Sequence, residues 1–154
     1  MPSETPSDRQ RIILAIGLPG SGKSTHLEKI GANALSSDRV RLILSDDATN
    51  QTIHPRVFAT IRYLLRHRLA IGRPVTYIDA TSLTPDERRP YIQIARWYRC
   101  DIEALFFDVP VEICRERNRG RNRIVPDDAL DAMAAKLVAP TTEEGFSRIT
   151  VVRA

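Results

Sequence analysis

Gly17-Leu18-Pro19-Gly20-Ser21-Gly22-Lys23-Ser24 has the form G-x-x-x-x-G-K-S, and its neighbours give it the setting that pattern requires. Before it, Arg11 to Ile16 (RIILAI) is a short apolar run that reads as a buried strand. After it, Lys23 to Ile30 reads as a helix stopped by Gly31. Strand, glycine-rich loop and helix N-terminus together make an anion cradle. Glycines let the backbone curl until successive N–H groups converge on phosphate oxygens, and the helix end adds partial positive charge. Gly20, Ser21 and Gly22 form the curl, Lys23 reaches β- and γ-phosphates, and the Ser24 hydroxyl is a ligand for Mg2+. The nucleotide implied by this loop is a magnesium nucleoside triphosphate.

Outward from the loop the chain alternates strand and helix. Asn33–Ser36 (NALS) is a short second strand, and Asp38 to Leu44 a short helix. His54 to Ile71 is a long helix, with Val57, Ile61, Leu64, Leu65 and Leu69 at spacings of three and four and Gly72 as its stop. Val75 to Asp79 (VTYID) is a third strand. Thr84-Pro85-Asp86-Glu87 is a capping box that opens a helix reaching Tyr98, with Pro90 expected to kink its start. Ile102–Phe107 is a strand, Pro110–Asn118 and Pro126–Val138 are helices, and Ile149–Val152 is a last strand. Alternation of this kind predicts an α/β fold: about five parallel strands in a three-layer α/β/α sandwich. Loops after the strands then share one edge, where ligands bind. Residues 1–10 read as a flexible tail and 11–154 as one P-loop domain.

Three groups downstream carry candidate chemistry. Asp38 follows the second strand in Ser36-Ser37-Asp38-Arg39-Val40-Arg41. It is either a general base for an attacking hydroxyl or a helix cap. Arg41, three residues on and on the same helical face, either holds an anion beside that base or is a solvated neighbour. Asp79 ends an apolar strand as a Walker B carboxylate does, close to the metal through water; the alternative is a strand-end cap. Arg115, Arg117, Arg119, Arg121 and Arg123 alternate in RERNRGRNR. They read as a lid with one or two arginines working on the triphosphate, the alternative being a solvated face. The pairs 117/121 and 115/119 have i, i+4 spacing. Asp46 and Asp47 read as turn formers, and Trp97 and Tyr98 as the inner edge of a helix rather than a base-stacking platform.

Composition sets bounds. A chain of 154 residues with 42% hydrophobic and 27% charged residues is an ordinary globular domain, not a disordered one. No apolar run approaches the ~20 residues a membrane helix needs, and the polar start does not read as a secretory signal. A cytoplasmic protein without a membrane partner is expected. Cys100 and Cys114 lack metal or redox spacing and read as buried free thiols. The net charge is +4, and only Lys23, Lys29 and Lys136 among the 23 basic residues are lysine. Arginine suits polyphosphate and nucleic acid through its bidentate fork. Codon usage gives the same excess, so position has to decide.

Together these residues resemble the kinase module of bacterial and phage polynucleotide 5′-hydroxyl kinases. The resemblance rests on GLPGSGKST at 17–25, SSDRVR at 36–41, NQ at 50–51 and RLAIG at 68–72. It continues through DAT at 79–81, Arg88, RNRGR at 117–121, VP at 125–126 and PTTEEGF at 140–146. It implies a strand order 2-3-1-4-5, ATP and Mg2+ as cofactors, and a 5′-OH end of DNA or RNA as acceptor. It assigns Asp38 as general base, Arg41 to the phosphate beside the hydroxyl, and Lys23, Ser24 and Thr25 to the ATP phosphates and Mg2+. Arg117 and Arg121 become lid arginines, and Asp79 the strand-end aspartate. The family reads DATN where this chain has Ser82, which leaves a role for that position open. Many relatives fuse a phosphatase or ligase to the kinase. Separate phosphatase or ligase proteins are therefore the expected partners in any nucleic-acid repair pathway. The same loop, base and lid also suit a small-molecule kinase acting on a sugar acid, an antibiotic or a nucleoside. A third reading is a nucleotide-binding regulatory module without transfer activity.

Overall fold

The structure is a computed structural model that describes residues 9–120 and 125–154. Five strands form one parallel sheet in the order β2-β3-β1-β4-β5: β1 Arg11–Ile16, β2 Leu35–Ser36, β3 Val75–Asp79, β4 Asp101–Asp108 and β5 Arg148–Arg153. The expected order and direction are both met. β1 sits at the centre, and its residues 12–16 are all buried, because helices cover both faces of the sheet.

Among the described residues six α-helices connect the strands: α1 Lys23–Lys29, α2 Ser37–Ser45, α3 His54–Ala70, α4 Pro85–Trp97, α5 Val111–Arg119 and α6 Asp127–Lys136. On one face Ile12, Leu14 and Ile16 meet the α3 ridge Val57, Ile61, Leu65 and Leu69, together with Tyr91, Ile92 and Ala95 of α4. On the other, Ile13 and Ala15 pack with Leu27 of α1 and with Leu105 and Phe107 of β4. A third cluster lies past the carboxyl ends of the strands, where Leu18, Leu83 and Val109 pack against Cys114, Val125 and Leu130. It holds α5 and α6 over the edge where the loops converge.

Several local features differ from the sequence-based expectations. β2 is only Leu35–Ser36, because Ser36 is already the N-cap of α2 and accepts from the Arg39 N–H at 3.3 Å. Thr84 caps α4 as expected, but the Glu87 carboxylate reaches back to the N–H of Leu83 at 2.7 Å rather than to the cap itself. Trp97 is 84% exposed and not on an inner edge. It lies two residues, about 200° of helical rotation, beyond buried Ala95, which turns it away from the core. Tyr98 is half-buried against the main cluster. Arg9 and Gln10, read as tail, are anchored: Arg9 pairs with Asp101 at 3.1 Å, and the Gln10 amide donates to the carbonyls of Leu69 and Arg73. Cys100 and Cys114 are buried free thiols, and burial raises both pKa values. Among the described residues no helix is long and apolar enough to cross a membrane.

Candidate active site

The loop after β1 is shaped by contacts that leave no room for side chains. A Cβ on Gly17 would lie 2.7 Å from Ser21 Oγ and 3.0 Å from Phe107 Cβ. Gly20 has φ +82°, and a Cβ there would meet the Cys114 carbonyl oxygen at 2.6 Å. Gly22, with φ +100°, is the N-cap of α1 and contributes no side-chain bond. Lys23 is only 8% exposed. Its Nζ donates to the carbonyls of Gly17 at 2.8 Å and Leu18 at 2.9 Å, so the ammonium folds back over the loop. Ser21 Oγ is buried without a hydrogen-bond partner among the described residues.

Ser24 Oγ donates to Asp79 Oδ2 at 2.7 Å. Asp79 sits at the carboxyl end of β3, in register with Ala15 of β1, and the Gly17 N–H donates to the Thr81 carbonyl at 3.1 Å. Strand pairing thus brings together two residues 55 positions apart. No group of three or more His, Cys, Asp or Glu residues gathers as a metal cage among the described residues. A hydroxyl and a carboxylate at the mouth of a phosphate cradle nevertheless suit Mg2+, which completes its shell with water and phosphate oxygens. The orphaned Ser21 hydroxyl and the crowded glycines fit a polyphosphate.

Toward the β2 edge the same cleft, about 880 Å³, is lined by Asp38, Arg41, His54 and Phe58. Asp38 lies in the first turn of α2, its side chain 39% exposed; the cap is Ser36, so the capping alternative for Asp38 does not hold. Arg41 is 3% exposed, with Nη1 3.4 Å from Asp38 Oδ1 and Nη2 3.3 Å from His54 Nδ1. A guanidinium only donates, so His54 accepts through Nδ1. Burial first, then the Arg41 charge, hold the His54 pKa below its ordinary value, against a smaller opposing pull from Glu87. Neutral His54 is thereby matched to its cationic neighbour.

Toward the β5 edge the cleft is lined by Arg117, Val125, Met133 and Arg153. A Cβ on Gly22 would lie 3.5 Å from Arg117 Nη1, which puts that guanidinium over the phosphate loop. Helix α5 ends at Arg119 with Gly120 as its cap, and Arg121 lies outside the described residues, as does Arg123. Arg115 is turned elsewhere and pairs with Asp131 of α6.

Three residues to which the sequence assigned no role acquire one in the structure. His54, at the start of α3, supports Arg41. Asn118 is 1% exposed and pairs through its amide with both backbone groups of Val125, at 2.5 and 3.0 Å. Arg88, wholly buried, donates to the carbonyls of Ser82 at 2.8 Å and Leu83 at 2.9 Å, to Val138, and to the Glu144 carboxylate at 3.1 Å. No hydrophobic period marks a polar residue that is buried by its partners; Arg88 had a signal only in the resemblance, and Asn118 stood there unremarked inside RNRGR.

Comparison with known proteins agrees with this geometry. Residues 12–140 match the family described as AAA domain. The bifunctional polynucleotide phosphatase/kinase of Schizosaccharomyces pombe is 25% identical over 155 residues, which is 95% of this chain and 34% of that protein. The chain therefore spans about a third of the length of this curated relative. A chain in the structure of the Pnkp1/Rnl/Hen1 RNA repair complex superposes with a TM-score of 0.72 at 22% identity, over 84% of this chain and 44% of that one. A gluconokinase from Sinorhizobium meliloti superposes with a TM-score of 0.61 at 18% identity, over 96% and 83%. These two structures share the fold. With the phosphate loop, the 2-3-1-4-5 sheet and a family match over most of its length, this chain belongs to the AAA domain family of P-loop proteins.

Proposed function

We propose that the protein is an ATP-dependent polynucleotide kinase that transfers the γ-phosphate to a 5′-hydroxyl end of DNA or RNA. The observation that carries this reading is Arg41. A guanidinium 3% exposed yet lining an open cleft, beside a half-exposed carboxylate, suits an acceptor with a phosphate next to its hydroxyl. A polynucleotide 5′ end has that arrangement.

Asp38 accepts the proton as the 5′-oxygen forms its bond to γ-phosphorus and the bond from γ-phosphorus to the β–γ bridging oxygen breaks. Arg41 holds the adjacent phosphate, and His54 fixes the plane of that guanidinium. Lys23 exchanges its loop carbonyls for β- and γ-phosphate oxygens, while Gly20, Ser21, Gly22 and Thr25 complete the cradle. Ser24 and Asp79, which share a hydrogen bond at the mouth of the loop, would hold Mg2+, Asp79 through water. When bound, the cation offsets charge on the phosphate oxygens. Arg117 adds positive charge over the loop, with Arg121 as its companion. Phosphatase or ligase activities supplied by other proteins would place the reaction in nucleic-acid repair.

The test is transfer of labelled γ-phosphate to 5′-OH oligonucleotides, DNA and RNA in parallel, with Asp38→Ala alongside. We expect transfer that falls about 10²–10⁴-fold in the variant. Undiminished transfer in Asp38→Ala would remove the base assignment and keep the activity. Transfer only to a small hydroxyl compound that carries no phosphate, insensitive to Arg41→Ala, would establish a small-molecule kinase instead.

A further inference from the structure

The helical ridge that enters the acceptor end of the cleft continues beyond it. His54, Phe58, Arg62 and Arg66 recur at i, i+4 along α3 and so share one face. His54 and Phe58 line the cleft; Arg62 and Arg66 line a second groove, between α3 and α4, with Gln93, Trp97 and Tyr98. Among the described residues neither guanidinium forms an ion pair. Trp97 presents 84% of its surface to solvent. Beneath them the Tyr91 hydroxyl is buried without a partner among the described residues. An open indole beside two arginines is a surface for a ligand both planar and anionic. From His54 to Arg66 the helix rises about 18 Å. At about 3.4 Å per phosphate of one stacked strand, that is roughly five nucleotides.

We propose that this groove is a docking track for the single-stranded part of the acceptor, with Arg62 and Arg66 on phosphates and Trp97 stacked on a base about four to six nucleotides from the reacting end. The proposal rests on the 5′-kinase reading of the cleft and adds to it a length of strand. Charge selects the occupant: both arginines face a groove without a paired carboxylate, and an apolar partner protein would bury those cations uncompensated.

Trp97 is the chain's single tryptophan, so its emission reports on the groove directly. The first arm titrates wild type with single-stranded oligonucleotides and follows Trp97 quenching. Saturable quenching is expected, and Arg66→Glu should abolish it. The second arm measures KM for a nucleoside 3′-phosphate and for 5′-OH strands of about three and ten nucleotides. KM should fall about five- to 150-fold from short to long acceptor, the worth of one stacked base. Trp97→Ala and Arg66→Ala should each remove most of that gain and leave the nucleoside 3′-phosphate kinetics unchanged. Arg66→Lys should keep most of it. For the long strand, Arg66→Ala should also shallow the slope of log KM against log salt by about 0.7.

Transfer without quenching, or a KM independent of length, overturns the track and leaves the kinase reading intact. Quenching without transfer to any nucleotide acceptor overturns the kinase reading while the groove stands. Emission that ignores oligonucleotides and shifts blue as protein concentration rises would make the groove an interface between copies, and the proposal would be wrong.

Discussion

Replacing Arg88 with methionine should cost this domain about 3–4 kcal/mol. Arg88 has no exposed surface, and its donors meet the carbonyls of Ser82, Leu83 and Val138 and the Glu144 carboxylate at 3.1 and 3.2 Å. Methionine restores most of the volume but none of the donors. Breaking a buried ion pair by removing one partner typically costs 3–5 kcal/mol, because the remaining charge stays desolvated. The lower part of that range applies here, since the Glu144 side chain is 13% exposed and still accepts from the Thr141 N–H at 2.8 Å. At roughly 2–4 °C per kcal/mol for a domain of this size, Tm should fall by about 6–16 °C. Urea unfolding, with m unchanged, gives the free energy directly. The double variant Arg88→Met, Glu144→Gln should lose less than the two single losses added together, because the second change relieves the stranded carboxylate. A loss under about 1 kcal/mol for Arg88→Met, or strict additivity in the double variant, would refute the account of Arg88 as a buried knot.

Gly20→Ala places a Cβ 2.6 Å from the Cys114 carbonyl at φ +82°. Strain alone should cost about 1–3 kcal/mol, and ADP should no longer raise Tm; an unchanged ADP-induced shift would contradict the cradle geometry. Ser82 holds φ +48° while buried, so Ser82→Gly should raise the urea midpoint, with a net gain of about 0.5–1 kcal/mol after glycine's entropy cost. A lower midpoint would mean that the Ser82 side chain contributes more than its strain removes. The His54 pKa is lowered in the fold, so the unfolded chain binds more protons as pH falls below about 6.5. Wild-type stability is therefore fully present above that pH and declines below it, while His54→Gln should decline less between about pH 7 and 5; parallel curves would rule out this linkage.

The phosphate loop, the alternation of strands and helices and the place of Asp79 at a strand end were legible because each has a one-dimensional signature, whereas the strand order was implied only by the family resemblance. A G-x-x-x-x-G-K-S string, alternating periods and a strand-end aspartate survive without coordinates. Trp97 departs from the inner-edge expectation because hydrophobicity alone does not decide burial. Helical phase decides instead, and Trp97 lies opposite the row Arg88, Tyr91, Ile92 and Ala95. The capping alternative for Asp38 was open in the sequence because Ser36, Ser37 and Asp38 are all good cap residues in a row. Only the hydrogen bond that the Ser36 hydroxyl accepts from the Arg39 N–H separates them. His54 and Asn118 were invisible as site residues, since their partners Arg41 and Val125 are ordered by tertiary packing and not by spacing.

Arginine illustrates why net charge says little here. The exposed pair Arg89 and Asp86, with side chains 60% and 82% exposed, is worth at most about 1 kcal/mol and tolerates lysine. Arg88 is consumed internally: its planar fork spans three carbonyls and a carboxylate at once, so no donor remains for a ligand. A lysine there concentrates its charge at one point and cannot reach all four acceptors. Arg41 shares that depth of burial but opens onto the cleft, and its Nη groups lie at 3.3 and 3.4 Å from His54 and Asp38, longer than the 2.8 Å from Arg88 Nε to Ser82. A guanidinium on a cavity wall is within reach of an anion in the cavity; one inside a closed shell is not. Arg88→Lys should therefore lower stability and leave acceptor KM nearly unchanged in the folded fraction. Arg41→Lys should do the reverse, raising acceptor KM with a small change in Tm. A matching loss of stability in both variants would mean that Arg41, too, serves the fold rather than the acceptor.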